Sequence, residues 1–492
     1  HGSDYEGDSG FYFNSEAAGN EGLDFDELQQ QSKESPEDIE AWGANFTGNF
    51  SMGDIDVVSV TAYETSDSIA FDDFGPGVET PNNPGQFAQF FPFISSYADD
   101  HEQFSQEFRL SGGNDQINWV GGVLAYYEDI DSEVSDGGYG AGTIGIDFNG
   151  NGVIDVPDEG WWPEDDRRVF NQTTEEVGAF FHMNYSINEQ FAVLGGLRYT
   201  YTRKDLEWQY TDFFTDFDYV PKTELDDSWD PLTYRAGIEY TPDEESLYYF
   251  RYDHGFKNGS FSVGGSTLAD LVTVDPEEID SLEVGTKLTL AGGRAQLNMA
   301  AFYNNIDDYQ ANLVVLGQNG VGFALQNAAE VETKGVELEV TIRATEALMV
   351  TGGLGYTDAT FEDYVDPLAG EDFSGNIIPI VPEWSGNISV SYDYFLGESY
   401  LLTPRIDYAY TGEMEGRPSN SPKEVLNERH IVNAQVKLET TTNDSLYVTA
   451  WVKNAFDEEY HTKNVGDGAF APGLMAKRGL PRTYGVTLSY EW

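Results

Sequence analysis

The stretch Phe191–Arg203, FAVLGGLRYTYTR, decides the class of fold. Phe191, Val193, Leu197, Tyr199 and Tyr201 fall on one face of an extended chain, and Arg198, Thr200 and Thr202 on the other. A period of two with one apolar and one polar face marks a half-buried strand. The pattern returns where Val336, Leu338, Val340 and Ile342 alternate with Glu337, Glu339, Thr341 and Arg343. It closes the chain, where Tyr484, Val486, Leu488, Tyr490 and Trp492 alternate with polar or small residues. Many such runs last about ten residues, the length of a tilted membrane strand and longer than the soluble norm of about 5–6.

The connections between these runs alternate in length. Short turns fall near Met52–Asp54, Gly112–Asp115, Ile187–Glu189, Pro242–Glu244, Ala291–Gly293, Thr345–Ala347, Leu396–Glu398 and Thr441–Asn443. Long polar stretches lie between them, near 66–100, 131–166, 204–229, 257–276, 310–321, 362–382, 412–426 and 457–479. Short turns on one side and long loops on the other describe an all-β transmembrane barrel of the outer-membrane type, with periplasmic turns and extracellular loops. The spacing predicts about seventeen strands, the first near Ala41–Ser51 and descending. Residues 1–40 then form an acidic extracellular segment, and residues 41–492 the C-terminal part of a barrel. An odd count that starts outside departs from the even number usual in single-chain bacterial barrels.

Composition excludes several classes. The 492 residues carry 25 Lys plus Arg against 87 Asp plus Glu, a formal net charge of −62. Phosphate neutralisation needs clustered cations, so nucleic acid is not a partner. The absence of cysteine removes disulfides, thiol chemistry and cysteine-ligated zinc. Aromatics at 14% are too many for a disordered acidic chain. No apolar run approaches the roughly 18 residues of a transmembrane helix. No positioned base accompanies GDSG at Gly7–Gly10, and the six histidines show no metal-ligand spacing, so no enzyme is expected.

One loop motif carries metal chemistry. DFNGNGVIDVPD, Asp147–Asp158, matches a twelve-position calcium loop. Its oxygen ligands are Asp147, Asn149, Asn151, the Val153 carbonyl, Asp155 and Asp158, with Gly152 at the sharp turn. Ca²⁺ there would order the loop. Aromatics crowd the long loops, notably Trp161, Trp162, Trp208, Tyr210, Phe213 and Phe214. Such side chains can stack on a flat ligand, or pack loops against each other and line a membrane interface.

Several segments resemble one family in order and spacing. GLPRTYGVTLSYEW (Gly479–Trp492) resembles the closing strand of TonB-dependent outer-membrane transporters, and VKNAFDEEYHTK (Val452–Lys463) the strand and loop before it. NAAEVETKGVELEV (Asn327–Val340), FRYDHGFKNGSF (Phe250–Phe261) and QFSQEFRLSG (Gln103–Gly112) resemble earlier barrel segments of that family. The resemblance implies a Gram-negative outer membrane, with its lipid and lipopolysaccharide as surroundings. It implies a barrel of about twenty-two strands around an N-terminal plug, driven by the TonB complex. Plug, TonB box and about five strands are not in this chain, and are expected upstream or on another chain. The implied function is active uptake of a bulky scarce nutrient, an iron–siderophore first, an oligosaccharide or cobalamin otherwise. A passive diffusion pore, or a scaffold gripping another surface protein through its loops, is the alternative.

Overall fold

The computed structural model describes residues 2–8, 12–13, 36–73, 93–138, 166–212, 217–265, 267–317, 320–366, 370–422, 424–441, 443–465 and 475–490. Seventeen strands follow one another. They are β1 (Pro36–Met52), β2 (Ile55–Asp73), β3 (Phe93–Gly113), β4 (Ile117–Gly138), β5 (Asp166–Ser186) and β6 (Phe191–Asp212). Next come β7 in two pieces (Phe217–Trp229 and Leu232–Asp243), β8 (Ser246–Lys257), β9 (Glu277–Leu290), β10 (Ala295–Gly317), β11 (Gly320–Arg343) and β12 (Leu348–Tyr364). The last are β13 (Trp384–Tyr392, extended by Tyr394–Leu396), β14 (Tyr400–Thr411), β15 (Arg429–Thr440), β16 (Asn443–Lys453) and β17 (Thr483–Tyr490).

Each strand pairs antiparallel with the next. The sheet counts twenty segments because β7 and β13 are interrupted and Gly2–Asp8 pairs alongside the start of β1. β7 breaks at Pro231, which has no N–H to give the ladder. Among the described residues, no register of paired residues joins β17 to β1.

The alternation read at Phe191 holds around the sheet. One face presents Phe104, Phe108, Val123, Phe181, Leu197, Leu354 and their neighbours as exposed apolar side chains, which a bilayer would cover. Aromatics border this band. Tyr63, Phe104 and Tyr127 stand in one cross-strand row, and Phe191, Tyr240 and Tyr248 stack in another, with centroids 4.6 and 6.2 Å apart. The periplasmic turns fall where the sequence places them, and a single glycine at φ 67° (Gly53) makes the first.

The extracellular side differs from its sequence reading. Stretches expected as loops at 204–229 and 310–321 are largely hairpin, because β6, β7, β10 and β11 run on past the apolar band. Strands reach 24 residues where about ten were expected. Beyond the membrane the outward face no longer needs to be apolar, so Asp, Asn and Thr take it over, while in β6 the apolar set moves to the inner face at Leu206, Trp208 and Tyr210. The outward row Asp67, Asp100, Asp131 and Asn171 shows this.

Candidate functional site

The face opposite the apolar band lines the lumen. Low on it, Arg109 grips Glu107 through two bonds of 2.6 Å. Further round, Arg235 meets Asp253, Arg251 reaches Asp253 at 2.7 Å and Glu283 at 3.0 Å, and Asn298 donates to Glu339 at 3.3 Å. A polar network climbs β2–β5. Gln103 donates to Glu64 at 3.0 Å, and the Tyr126 hydroxyl donates to Glu128 at 2.8 Å and lies 3.1 Å from the Gln103 amide oxygen. His101 sits 3.2 Å from Glu128. On β5 and β6, Arg198 donates to Glu176 at 3.1 Å. A wall of this kind suits water and polar cargo, and gives a globular domain many places to dock.

Above the membrane the lumen wall is covered by the chain itself. Residues 258–276, which connect β8 to β9, fold over the inner faces of β5–β7 and cover Leu206, Trp208, Tyr210 and Val220 with Phe261, Val263 and Leu271. Trp208 is 1% and Tyr210 3% exposed. The Trp208 indole donates to the Val263 carbonyl at 3.0 Å, so its one polar atom is satisfied under that cover. Arg168 donates to the Gly264 carbonyl at 3.0 Å with its guanidinium 5.9 Å from the Tyr210 ring centroid. Burial pulls the Arg168 pKa below its usual value, opposed by nearby tyrosines.

A second cover lies over β10–β12, where Ile378 joins Ala329, Val331, Ala359, Phe361 and Tyr364. Burial first, then the charge of Asp366, lifts the Tyr364 hydroxyl to about 12. The loop 365–383 is in turn stapled to loop 412–428. Asn420 accepts from the Ile377 amide at 2.7 Å and donates to its carbonyl at 2.9 Å, and Asn376 donates to the Pro418 carbonyl at 2.8 Å. Ile380, at φ 64°, is a β-branched residue held in the left-handed region at this junction.

Of the residues singled out in the sequence, the structure places Trp208 and Tyr210 together on the inner face of β6, beneath Phe261, Val263 and Leu271 of the β8–β9 connection. Trp161, Trp162, Phe213, Phe214 and the calcium set Asp147, Asn149, Asn151, Val153, Asp155 and Asp158 lie outside the described residues. Among the described residues no group of three or more His, Asp or Glu could hold a metal ion. The covering residues Phe261, Val263 and Leu271 were missed because 257–276 reads as a polar loop. Its run of apolar residues at 261, 263, 268, 271, 272 and 274 was the signal.

A curled antiparallel sheet with an apolar aromatic-bordered exterior, a charged lumen and long extracellular hairpins defines a large outer-membrane β-barrel. Residues 1–455 match the family described as TonB dependent receptor-like, beta-barrel. The chain belongs to that family, whose members are transport receptors of the Gram-negative outer membrane and not enzymes. It is 28% identical over 260 residues to the metal-pseudopaline receptor of Pseudomonas aeruginosa, covering 52% of this chain and 33% of that protein. It is 28% identical over 233 residues to the ferrichrome outer membrane transporter/phage receptor of Escherichia coli, covering 46% and 28%. The ferric yersiniabactin uptake receptor of Yersinia pestis shares the fold at TM-score 0.73 and 16% identity, over 94% of this chain and 63% of that one. The matched part thus spans about a third of the curated relatives' length.

Proposed function

We propose that the chain is the C-terminal portion of a transporter that takes a bulky, scarce nutrient across the outer membrane, energised by TonB. The observation that carries this is family membership together with the polar, charge-lined lumen. A metal chelate, an iron–siderophore above all, is the leading cargo, because relatives that share its sequence are named for metal-pseudopaline and ferrichrome. An oligosaccharide or cobalamin is the runner-up.

The edges of the sheet support a wall completed by further strands. On β17, Tyr484 is 80% exposed, while Val448 on the neighbouring β16, facing the same way, is 37% exposed. Gly2–Asp8 runs antiparallel to the top of β1, as the upper end of an ascending strand would. We therefore place the plug, the TonB contact and about five strands upstream of His1 or on another chain, with 1–40 as an extracellular segment. Outer-membrane lipid and lipopolysaccharide would surround the apolar band. Asp147, Asn149, Asn151, Val153, Asp155 and Asp158 would hold Ca²⁺ and order their loop. Cargo contact is proposed for Trp161, Trp162, Phe213 and Phe214, and for Trp208 and Tyr210 if their cover lifts.

The test is uptake of radioactive iron, offered as ferrichrome or as a catecholate chelate, by cells expressing the native protein. Accumulation should require both the protein and TonB. Equal uptake without TonB would end the active-transport reading and favour a pore.

A further inference from the structure

The cover over Trp208 is tied on two sides. At its start, Asn258 donates to Glu176 at 3.2 Å and lies 3.2 Å from the Thr202 hydroxyl, which anchors it to β5 and β6. In its middle, Arg168 and Trp208 donate to the carbonyls of Gly264 and Val263. Its other flank faces β10 and β11. Gln310 donates to the carbonyls of Asn258 and Asp275, both at 3.0 Å, and the Leu325 amide donates to the Ser262 hydroxyl at 3.0 Å. Asn327 accepts from the Asp275 amide at 2.7 Å and donates to its carbonyl at 2.9 Å.

The segment also has internal structure. Ser260–Phe261 pairs with Thr273–Val274, and the Ser262 amide donates to the Val272 carbonyl at 2.9 Å. At its tip Asp270 accepts from both the amide and the hydroxyl of Thr267. Gly259 fits where a Cβ would stand 2.3 Å from the Trp229 ring, so no larger residue passes there without displacing it. Phe261 and Val274 are buried, and Leu268 at the tip is exposed.

A lid that opens to admit cargo has few buried apolar contacts and few backbone bonds to break. This segment has a buried apolar underside and side-chain bonds to strands on both flanks, several of them made to its backbone carbonyls. We propose that residues 258–265 and 267–276 form a fixed brace that ties the inner wall of β5–β7 to β10 and β11 and closes that sector of the mouth. Trp208 and Tyr210 then anchor the brace, so a brace that holds shut leaves the cargo contact proposed above to Trp161, Trp162, Phe213 and Phe214. The inference stands apart from the identity of the cargo.

This chain contributes no cysteine of its own to the test, and labelling of the parent protein sets the background. Single variants Leu268→Cys and Leu271→Cys, whose native side chains are 56% and 8% exposed, are made in the whole protein. They are reacted on intact cells with a membrane-impermeant maleimide. The brace predicts fast labelling at Leu268→Cys and labelling on the order of a hundredfold slower at Leu271→Cys, as a site reached only by rare opening requires. Equal rates would overturn it.

Adding Trp208→Phe or Gln310→Ala to Leu271→Cys removes one tie at a time. Each should raise labelling by about tenfold. An effect from one side alone would mean a one-sided flap and overturn the brace. Should Leu271→Cys fail to assemble, the pair Ser262→Cys with Leu325→Cys replaces it. The brace predicts that added copper phenanthroline with dissolved oxygen, which takes up the two electrons and two protons, closes a disulfide between them in the membrane, whereas two thiols still freely labelled after that oxidation would contradict it.

Discussion

The membrane belt and the extracellular crown are built from the same strands but held together differently. In the belt the outward side chains meet lipid and the inward ones form charge pairs, such as Glu107 with Arg109, around a polar lumen. Lipid is as apolar as the side chains it covers, so an outward residue there contributes by fitting the bilayer rather than by leaving water. In the crown there is no bilayer, and apolar side chains such as Trp208 and Phe361 are buried by loops folding inward. A barrel of this kind therefore has its protein-like core above the membrane. Its middle resembles a core turned inside out.

The largest expected effect breaks that contrast directly. Trp208→Ala should cost about 3–5 kcal/mol through the cavity it leaves, whereas Val123→Ala on the lipid face should stay within about 0.5 kcal/mol. Denaturant unfolding of the two variants in the same micelle compares them, and equal losses would erase the distinction. A charge should act the other way round. Leu354→Arg, facing lipid in mid-strand, should cost about 2–4 kcal/mol, while Asp226→Arg on the crown should cost little. Yield of folded, heat-modifiable barrel reads this out, and a crown variant that failed as badly would contradict it.

A smaller effect is expected where the crown is stapled to the last strand. A Cβ on Gly479 would stand 2.1 Å from the Tyr460 ring, over which Arg429 lies at 5.1 Å. Gly479→Ala should cost about 1–3 kcal/mol by overpacking, visible as a lower melting temperature with near-ultraviolet dichroism altered at the tyrosines. An unchanged melting curve would show that the ring yields freely.

The smallest effect is electrostatic. Partial burial first, then the carboxylates of Asp67, Asp131 and Glu102, raises Asp100 above the usual carboxylate range. The folded state then binds that proton more readily than the unfolded one. Stability should rise as pH falls through the raised pKa, and the repulsion should be fully present at neutral pH. Asp100→Asn should accordingly raise the melting temperature slightly at pH 7, with the gain fading in acid. A lower melting temperature at pH 7 would mean that the row is held together by its charges.

The same contrast explains what could be read from residues alone. In the belt, alternation at Phe191–Tyr201 and Val336–Ile342 fixed which face meets lipid, and short turns with residues such as Gly53 marked the periplasmic rim. In the crown β6 continues to Asp212 with its apolar set, Leu206, Trp208 and Tyr210, on the opposite face from Leu197, Tyr199 and Tyr201, and β10 continues to Gly317 through the unbroken apolar run 313–316, so the outward alternation stops although the ladder does not. Loop boundaries were therefore misjudged at 204–229 and 310–321. The aromatic cluster at Trp208 and Tyr210 was visible in the sequence. That residues 258–276 would cover it depends on contacts between segments about fifty residues apart, such as Trp208 with Val263, and no local pattern encodes those.

The central claim is that this barrel wall belongs to a plugged, energised transporter and not to an open pore. Conductance of the native protein, purified from outer membranes and inserted into a planar lipid bilayer, tests it most directly. The account predicts negligible steady current; a large, stable conductance would contradict it.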